Sequence, residues 1–167
     1  RLFKESDNMK THAQAVVIGG GVIGCSILYH LTKLGWSDVV LLERDELTSG
    51  STWHAAANIH GLHDSTNISR IQHYTMGLYK DLEAETGQSC GVFQPGSLYL
   101  AQTENRSHQL QLQASKAKLY GMNFSEVTRA EAEELHPLVN FDGIRTIMWE
   151  PEGGNVDPSG VTAAYAA

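Results

Sequence analysis

At 167 residues the chain suffices for about one domain with its own core. A formal charge of -7 disfavours nucleic acid or an anionic membrane surface as a partner. Hydrophobic residues at 41% and charged residues at 19% are ordinary for a water-soluble globular protein, and no charge run, low-complexity tract or internal repeat marks another class.

The segment Arg1–His12 is polar and aperiodic and reads as a disordered tail. Ala13–Ile18 is a short β-branched run that reads as a strand buried on both faces. Glycines follow at once. Val22–Leu34 then carries apolar residues at Ile23, Ile27, Leu31 and Leu34, the stripe of a helix, which Gly35 should stop. Val39–Leu42 reads as a second buried strand, so the opening is a βαβ unit with parallel strands. The glycines at 19, 20, 21 and 24, together with His30, argue against a membrane span or signal sequence in the apolar stretch 13–31.

Beyond a loop of small residues at Leu47–Thr52, the positions Ile68, Ile71, Leu78 and Leu82 mark a helix ending near Gly87. Gly91–Gln102 reads as two short strands about the Gln94-Pro95-Gly96 turn. Glu104–Leu119 is helix-favouring. Thr128 with Glu131 forms a capping box for a short helix to His136, and Gly143–Trp149 reads as a strand. Asp157-Pro158 caps a last helix. The chain starts at Arg1 and that helix is cut short, so the chain reads as an N-terminal fragment of a longer protein. The expected class is α/β: a Rossmann-like domain over 13–88, an inserted α+β module over 89–150, and a helix over 151–167 returning to the first domain.

Gly19-Gly20-Gly21-Val22-Ile23-Gly24 matches G-x-G-x-x-G, and Glu43 lies nineteen residues after Gly24. Gly19 permits the tight turn, Gly21 leaves room for a pyrophosphate, and Gly24 lets the helix lie close on the strand. Free N–H groups at Val22 and Ile23, with the helix dipole, would attract a diphosphate. Glu43 would accept hydrogen bonds from ribose hydroxyls and repel a 2′-phosphate. This pattern suits FAD and NAD alike.

The stretch Glu43-Arg44-Asp45-Glu46-Leu47-Thr48-Ser49-Gly50-Ser51-Thr52-Trp53-His54-Ala55-Ala56 is more particular. Thr48–Thr52 could pass close to a ligand, or form a solvated turn capping the next helix. Trp53 could be core. The stretch resembles the second fingerprint of amine-oxidising flavoproteins of the D-amino-acid oxidase superfamily. More closely, it resembles that of the dimethylglycine and sarcosine dehydrogenase family. Further likeness runs through Leu78-Tyr79, Glu83–Gln88, Gln94–Leu98 and Asp157-Pro158. Where the family usually has glycine after the paired alanines, this chain has Ala57-Asn58.

The resemblance implies FAD held by Arg44, Gly50, Ser51, Thr52, Trp53, Ala55 and Ala56 besides the glycine motif, with His54 joined covalently to the flavin 8α carbon. It also implies hydride transfer from the N-methyl carbon of a small secondary or tertiary amine. Electrons would leave to an electron-transfer flavoprotein or oxygen, and folate could bind in a C-terminal region. Cys25 and Cys90 form no disulfide framework, which suits a reducing compartment: the cytoplasm, or the mitochondrial matrix in a eukaryote. Two rival readings are an NAD-dependent dehydrogenase and a non-catalytic relative of the pyruvate dehydrogenase phosphatase regulatory subunit type. His60, His63 and Asp64 lack a fourth ligand and make no metal site. The sequons at Asn67, Asn105 and Asn123 read as chance matches, because no signal peptide accompanies them.

Overall fold

The computed structural model describes residues 11–167, so most of the expected tail lies outside the described residues. Strands β1 (Ala15–Ile18) and β2 (Val39–Leu42) pair in parallel, Ala15 opposite Val39 through Ile18 opposite Leu42. Helix α1 (Val22–Lys33) crosses between them, and Gly35 turns the chain out of it at φ +89°. The βαβ unit therefore forms as its sequence dictates.

Its burial does not follow the expected pattern. β1 alternates, with Val16 51% and Ile18 85% exposed, because only one face of this two-stranded sheet is covered among the described residues. The stripe of α1 is displaced too: Ile23, Ile27 and Leu34 are exposed, and the helix buries Gly24 and Cys25. The cause is tertiary. α1 packs against α2 (Thr66–Thr86) and α5 (Pro158–Ala166), whose Leu78, Leu82, Val161, Ala164 and Tyr165 meet Cys25, Tyr29 and Cys90 in one core. The last helix thus packs on the first, and it is capped by the Asp157 carboxylate accepting from the Ser159 N–H at 3.0 Å.

Between α2 and α5 in the chain comes an antiparallel sheet in the order β4 (Ser97–Ala101), β6 (Thr146–Glu150), β5 (Ser125–Glu126). Its alternation serves two cores. Ala101 and Met148 face Leu110 and Ala117 of α3 (Glu104–Leu119). Ile147 and Leu98 face Ala132 of α4 (Arg129–Leu135) and Phe141. The capping box opens α4: Thr128 Oγ1 accepts from Glu131 N–H, and Glu131 accepts from Thr128 N–H at 2.7 Å.

The expected pair of strands about Gln94-Pro95-Gly96 is a single strand, β4. Phe93 makes only an isolated bridge to Asn155, while Ser97 pairs with Glu150. Both sides of the turn therefore pair with one continuous run, 150–155, and the turn bends an edge without reversing it.

Two-residue strands β3 (Asn58–Ile59) and β7 (Gly154–Asn155) pair antiparallel and were not visible in the sequence. Ala57, just before β3, sits at φ +53° while its carbonyl accepts from Val156 N–H at 3.1 Å. Left-handed backbone is costly for any residue with a Cβ, which explains why glycine is the better residue here. Ala57→Gly should raise the stability of the full-length protein by about 0.5–1 kcal/mol. The check is the urea midpoint, and a lower midpoint would refute the strain at Ala57.

Candidate functional site

The carboxyl ends of β1 and β2 and the N-terminus of α1 enclose an open cleft of about 770 Å³. Its floor depends on contact too close for side chains. A methyl on Gly24 would collide with the Gly19 carbonyl oxygen, and Gly19 itself lies at φ +109°. Both positions therefore demand glycine, and α1 starts directly over the end of β1.

That start is uncapped by its own residues. Gly21 at the N-cap has no side chain to offer, and the first turn contains no acid. Helix N-termini leave N–H groups unsatisfied and carry partial positive charge. Val22 N–H was expected to be free for a ligand. Instead it donates to Thr52 Oγ1 at 3.0 Å, since an orphan donor takes the nearest hydroxyl. Thr52 belongs to a 3₁₀ turn, Thr52–His54, so this bond latches the second motif onto the first.

Glu43 stands at the end of β2, and its carboxylate accepts three backbone N–H groups. Gly20 donates at 2.6 Å, Arg44 at 2.8 Å and Asp45 at 3.0 Å. The Gly20 bond, then the Asp45 bond, hold its carboxyl below the usual carboxylate range. A carboxylate has about four acceptor positions, so one remains for a ligand hydroxyl. Glu43 is thus a clamp on the glycine loop as well as a candidate ribose partner, a role that its spacing alone did not reveal. The sequence signal was the middle glycine: a Cβ at Gly20 would crowd the Glu43 side chain and displace the tip of Leu47.

Gly19, Gly21, Val22, Ile23, Gly24, Glu43, Arg44, Gly50, Ser51, Thr52 and Ala55 all line the cleft. Trp53, His54 and Ala56 do not. His54 is exposed, its ring centroid 3.7 Å from that of Trp53 with the planes 33° apart. Its Nδ1 lies 3.2 Å from the Gly50 carbonyl oxygen. A carbonyl only accepts, so Nδ1 carries the hydrogen, and in the neutral ring the lone pair sits on Nε2. The sequence reading missed Asp45 and Ser49 in the lining, and the apolar wall of Ile18, Ile27 and Leu42. Those three had been assigned to buried faces.

Elsewhere, burial pushes the Cys25 thiol up, and raises Cys90 to about 11, so neither is a ready nucleophile. His63 Nδ1 accepts from Ser65 N–H at 3.0 Å, and no group of metal-binding side chains occurs among the described residues. No described helix is long and apolar enough to cross a membrane.

Residues 14–167 match the family model described as FAD dependent oxidoreductase, DAO. The mitochondrial dimethylglycine dehydrogenase of Rattus norvegicus is 41% identical over 94% of the chain, and the mitochondrial sarcosine dehydrogenase of Mus musculus 39% over 93%. The mitochondrial pyruvate dehydrogenase phosphatase regulatory subunit of Mus musculus is 36% identical over 95%. The chain spans only 18%, 17% and 18% of these three relatives, respectively. Among solved structures, L-proline dehydrogenase from P. horikoshii superposes with a TM-score of 0.86 at 27% identity, covering 95% of this chain and 41% of that one.

The Glu43 clamp has a direct test. A carboxyl whose folded pKa is lowered stabilises the clamp fully above its unfolded value, and that contribution is lost as pH falls through the folded value. In full-length protein, Glu43→Ala should reduce the Gly20 amide protection factor at least about tenfold. Wild-type protection, corrected for intrinsic exchange, should fall only below the ordinary glutamate range. Unchanged protection in the variant would refute the clamp.

Proposed function

The chain belongs to the DAO family of FAD-dependent oxidoreductases, and from that premise we propose that its full-length protein holds FAD and oxidises the N-methyl C–N bond of a small secondary or tertiary amine. The observation that carries FAD binding is the cleft itself, where the Gly19–Gly24 floor, the Glu43 carboxylate and the Thr52 latch converge. These residues fit the ADP half: an N–H-rich helix start for the diphosphate and a clamped carboxylate for the ribose. Bound flavin supplies the hydride acceptor.

What the protein contributes is position and electrostatics. Gly19–Gly24 and the dipole of α1 orient the diphosphate. Glu43 orders the glycine loop and selects against a 2′-phosphate. Gly50, Ser51 and Ala55 also line the cleft and are small enough for close approach. His54 would be the point of covalent attachment: the Nε2 lone pair of the neutral ring would form the bond to the 8α carbon, an 8α hydrogen would leave as a proton, and the electron pair gained by the flavin would pass on to its electron acceptor.

Identity of about 40% to a dimethylglycine and a sarcosine dehydrogenase supports an amine of that type. An electron-transfer flavoprotein or oxygen then takes the electrons, with folate a candidate ligand of a C-terminal region. The same reading assigns 13–88 and 151–167 to the FAD-binding domain, 89–150 to an inserted substrate module, and a reducing compartment to the whole. The regulatory relative supports a second, non-catalytic reading. Retention of His54 in its motif favours the enzyme.

Two measurements on full-length protein test this. Denatured wild type should fluoresce at the protein band under ultraviolet light, and His54→Ala should not, although it keeps flavin in the folded state. Flavin attached to the denatured variant, or none on denatured wild type, refutes the role of His54. Separately, NADPH should bind at least about a hundredfold more weakly than FAD, since the clamped Glu43 carboxylate repels a 2′-phosphate more than Arg44, which also lines the cleft, offsets. Tight NADPH binding, or a protein without flavin absorbance, would return the cleft to a nicotinamide cofactor.

A further inference from the structure

Glu150, at the end of β6, is 1% exposed, yet it carries a carboxylate. Its Oε1 accepts from the buried Gly61 N–H at 2.7 Å, and its Oε2 from the Tyr99 phenol at 2.6 Å. Burial and the Glu150 carboxylate push the Tyr99 phenol far above its ordinary range, so it remains a donor. Gly61 is walled by the Met122 methyl and the Met76 sulfur.

Gly61 lies seven positions beyond His54, on the segment that leaves the second motif. That segment is laced to 150–156 throughout. Ala57 carbonyl accepts from Val156 N–H, β3 pairs with β7, and Gly61 is held by Glu150. The first two attachments are backbone to backbone and tolerate many side chains. The Glu150 link depends on the side chain itself. A corner in left-handed backbone, such as Ala57, persists only where its surroundings over-determine it.

We propose that Glu150 is a positioning residue: it fixes the segment Ala57–Gly61 to the three-stranded sheet, and through it the placement of His54 beside the flavin. The inference rests on the reading of His54 as a flavin contact. A buried carboxylate is costly, and an apolar residue here would orphan the Gly61 N–H. Glutamine is different. Its oxygen can accept from Gly61 while its NH₂ donates to the Tyr99 oxygen, so Glu150→Gln keeps both links without the charge.

The test uses full-length protein with FAD, comparing wild type, Glu150→Gln and Glu150→Leu. It reads the rate at which flavin becomes resistant to denaturation and the visible absorption band of the folded protein. Glu150→Gln should match wild type within about twofold. Glu150→Leu should bind FAD but link it at least about tenfold more slowly, with a shifted band, because misplacement near 1 Å has effects of that order. If wild type never links flavin, the role of His54 fails and the band alone decides: a shift in the leucine variant, absent in the glutamine one, supports positioning. An unshifted leucine variant at wild-type rate overturns the proposal, as does a glutamine variant equally impaired. Should Glu150→Leu not fold, Glu150→Asp, too short to reach both donors, replaces it under the same criteria.

Discussion

No atom larger than hydrogen fits between Gly24 and the carbonyl of Gly19, and the cleft follows from that contact. Because α1 lies so close on β1, its N-terminus opens at the strand ends rather than to one side. The backbone N–H groups there have no partner within the helix. They are the reason the Thr52 hydroxyl is drawn to Val22, and why the second motif lies where it does. A methyl at Gly24 would lift the helix and separate every pair of groups that the cleft brings together.

A second layer of constraint comes from carboxylates used as backbone acceptors. Glu43 gathers the N–H groups of Gly20, Arg44 and Asp45, and Glu83 does the same at the end of α2 for Cys90 at 2.6 Å. Bonds to charged acceptors are among the stronger ones. A chain of net charge -7 thus places some of its acids where they order loops. Glu150 extends this use into the interior, between segments 89 residues apart.

The apolar wall of the cleft has a different origin. Ile23 and Ile27 belong to the helical stripe, yet they remain exposed because α2 and α5 occupy the neighbouring face of α1. With Ile18 and Leu42 they give the cleft an apolar part of its lining beside its polar groups. Binding sites for cofactors commonly combine an apolar lining with a few placed polar groups.

Local chemistry made much of this legible in the chain itself. Strand, glycine turn, helix and acid at fixed spacing specify a βαβ nucleotide cleft, because each glycine answers a contact within a few residues. The capping box at Thr128 and the Asp157-Pro158 cap are equally local, and the motif around His54 disclosed the family. What only the tertiary structure decided depends on neighbours distant in sequence. Which face of α1 is buried depends on α5, more than 120 residues away. The strands β3 and β7 are too short for any periodicity and form only by pairing with segments distant in sequence. Glu150 lies one residue past the strand expected over Gly143–Trp149, and it is a buried acceptor only because Gly61 and Tyr99, distant in sequence, donate to its two oxygens. Periodicity reports an element's own two faces; it holds no record of what will cover them.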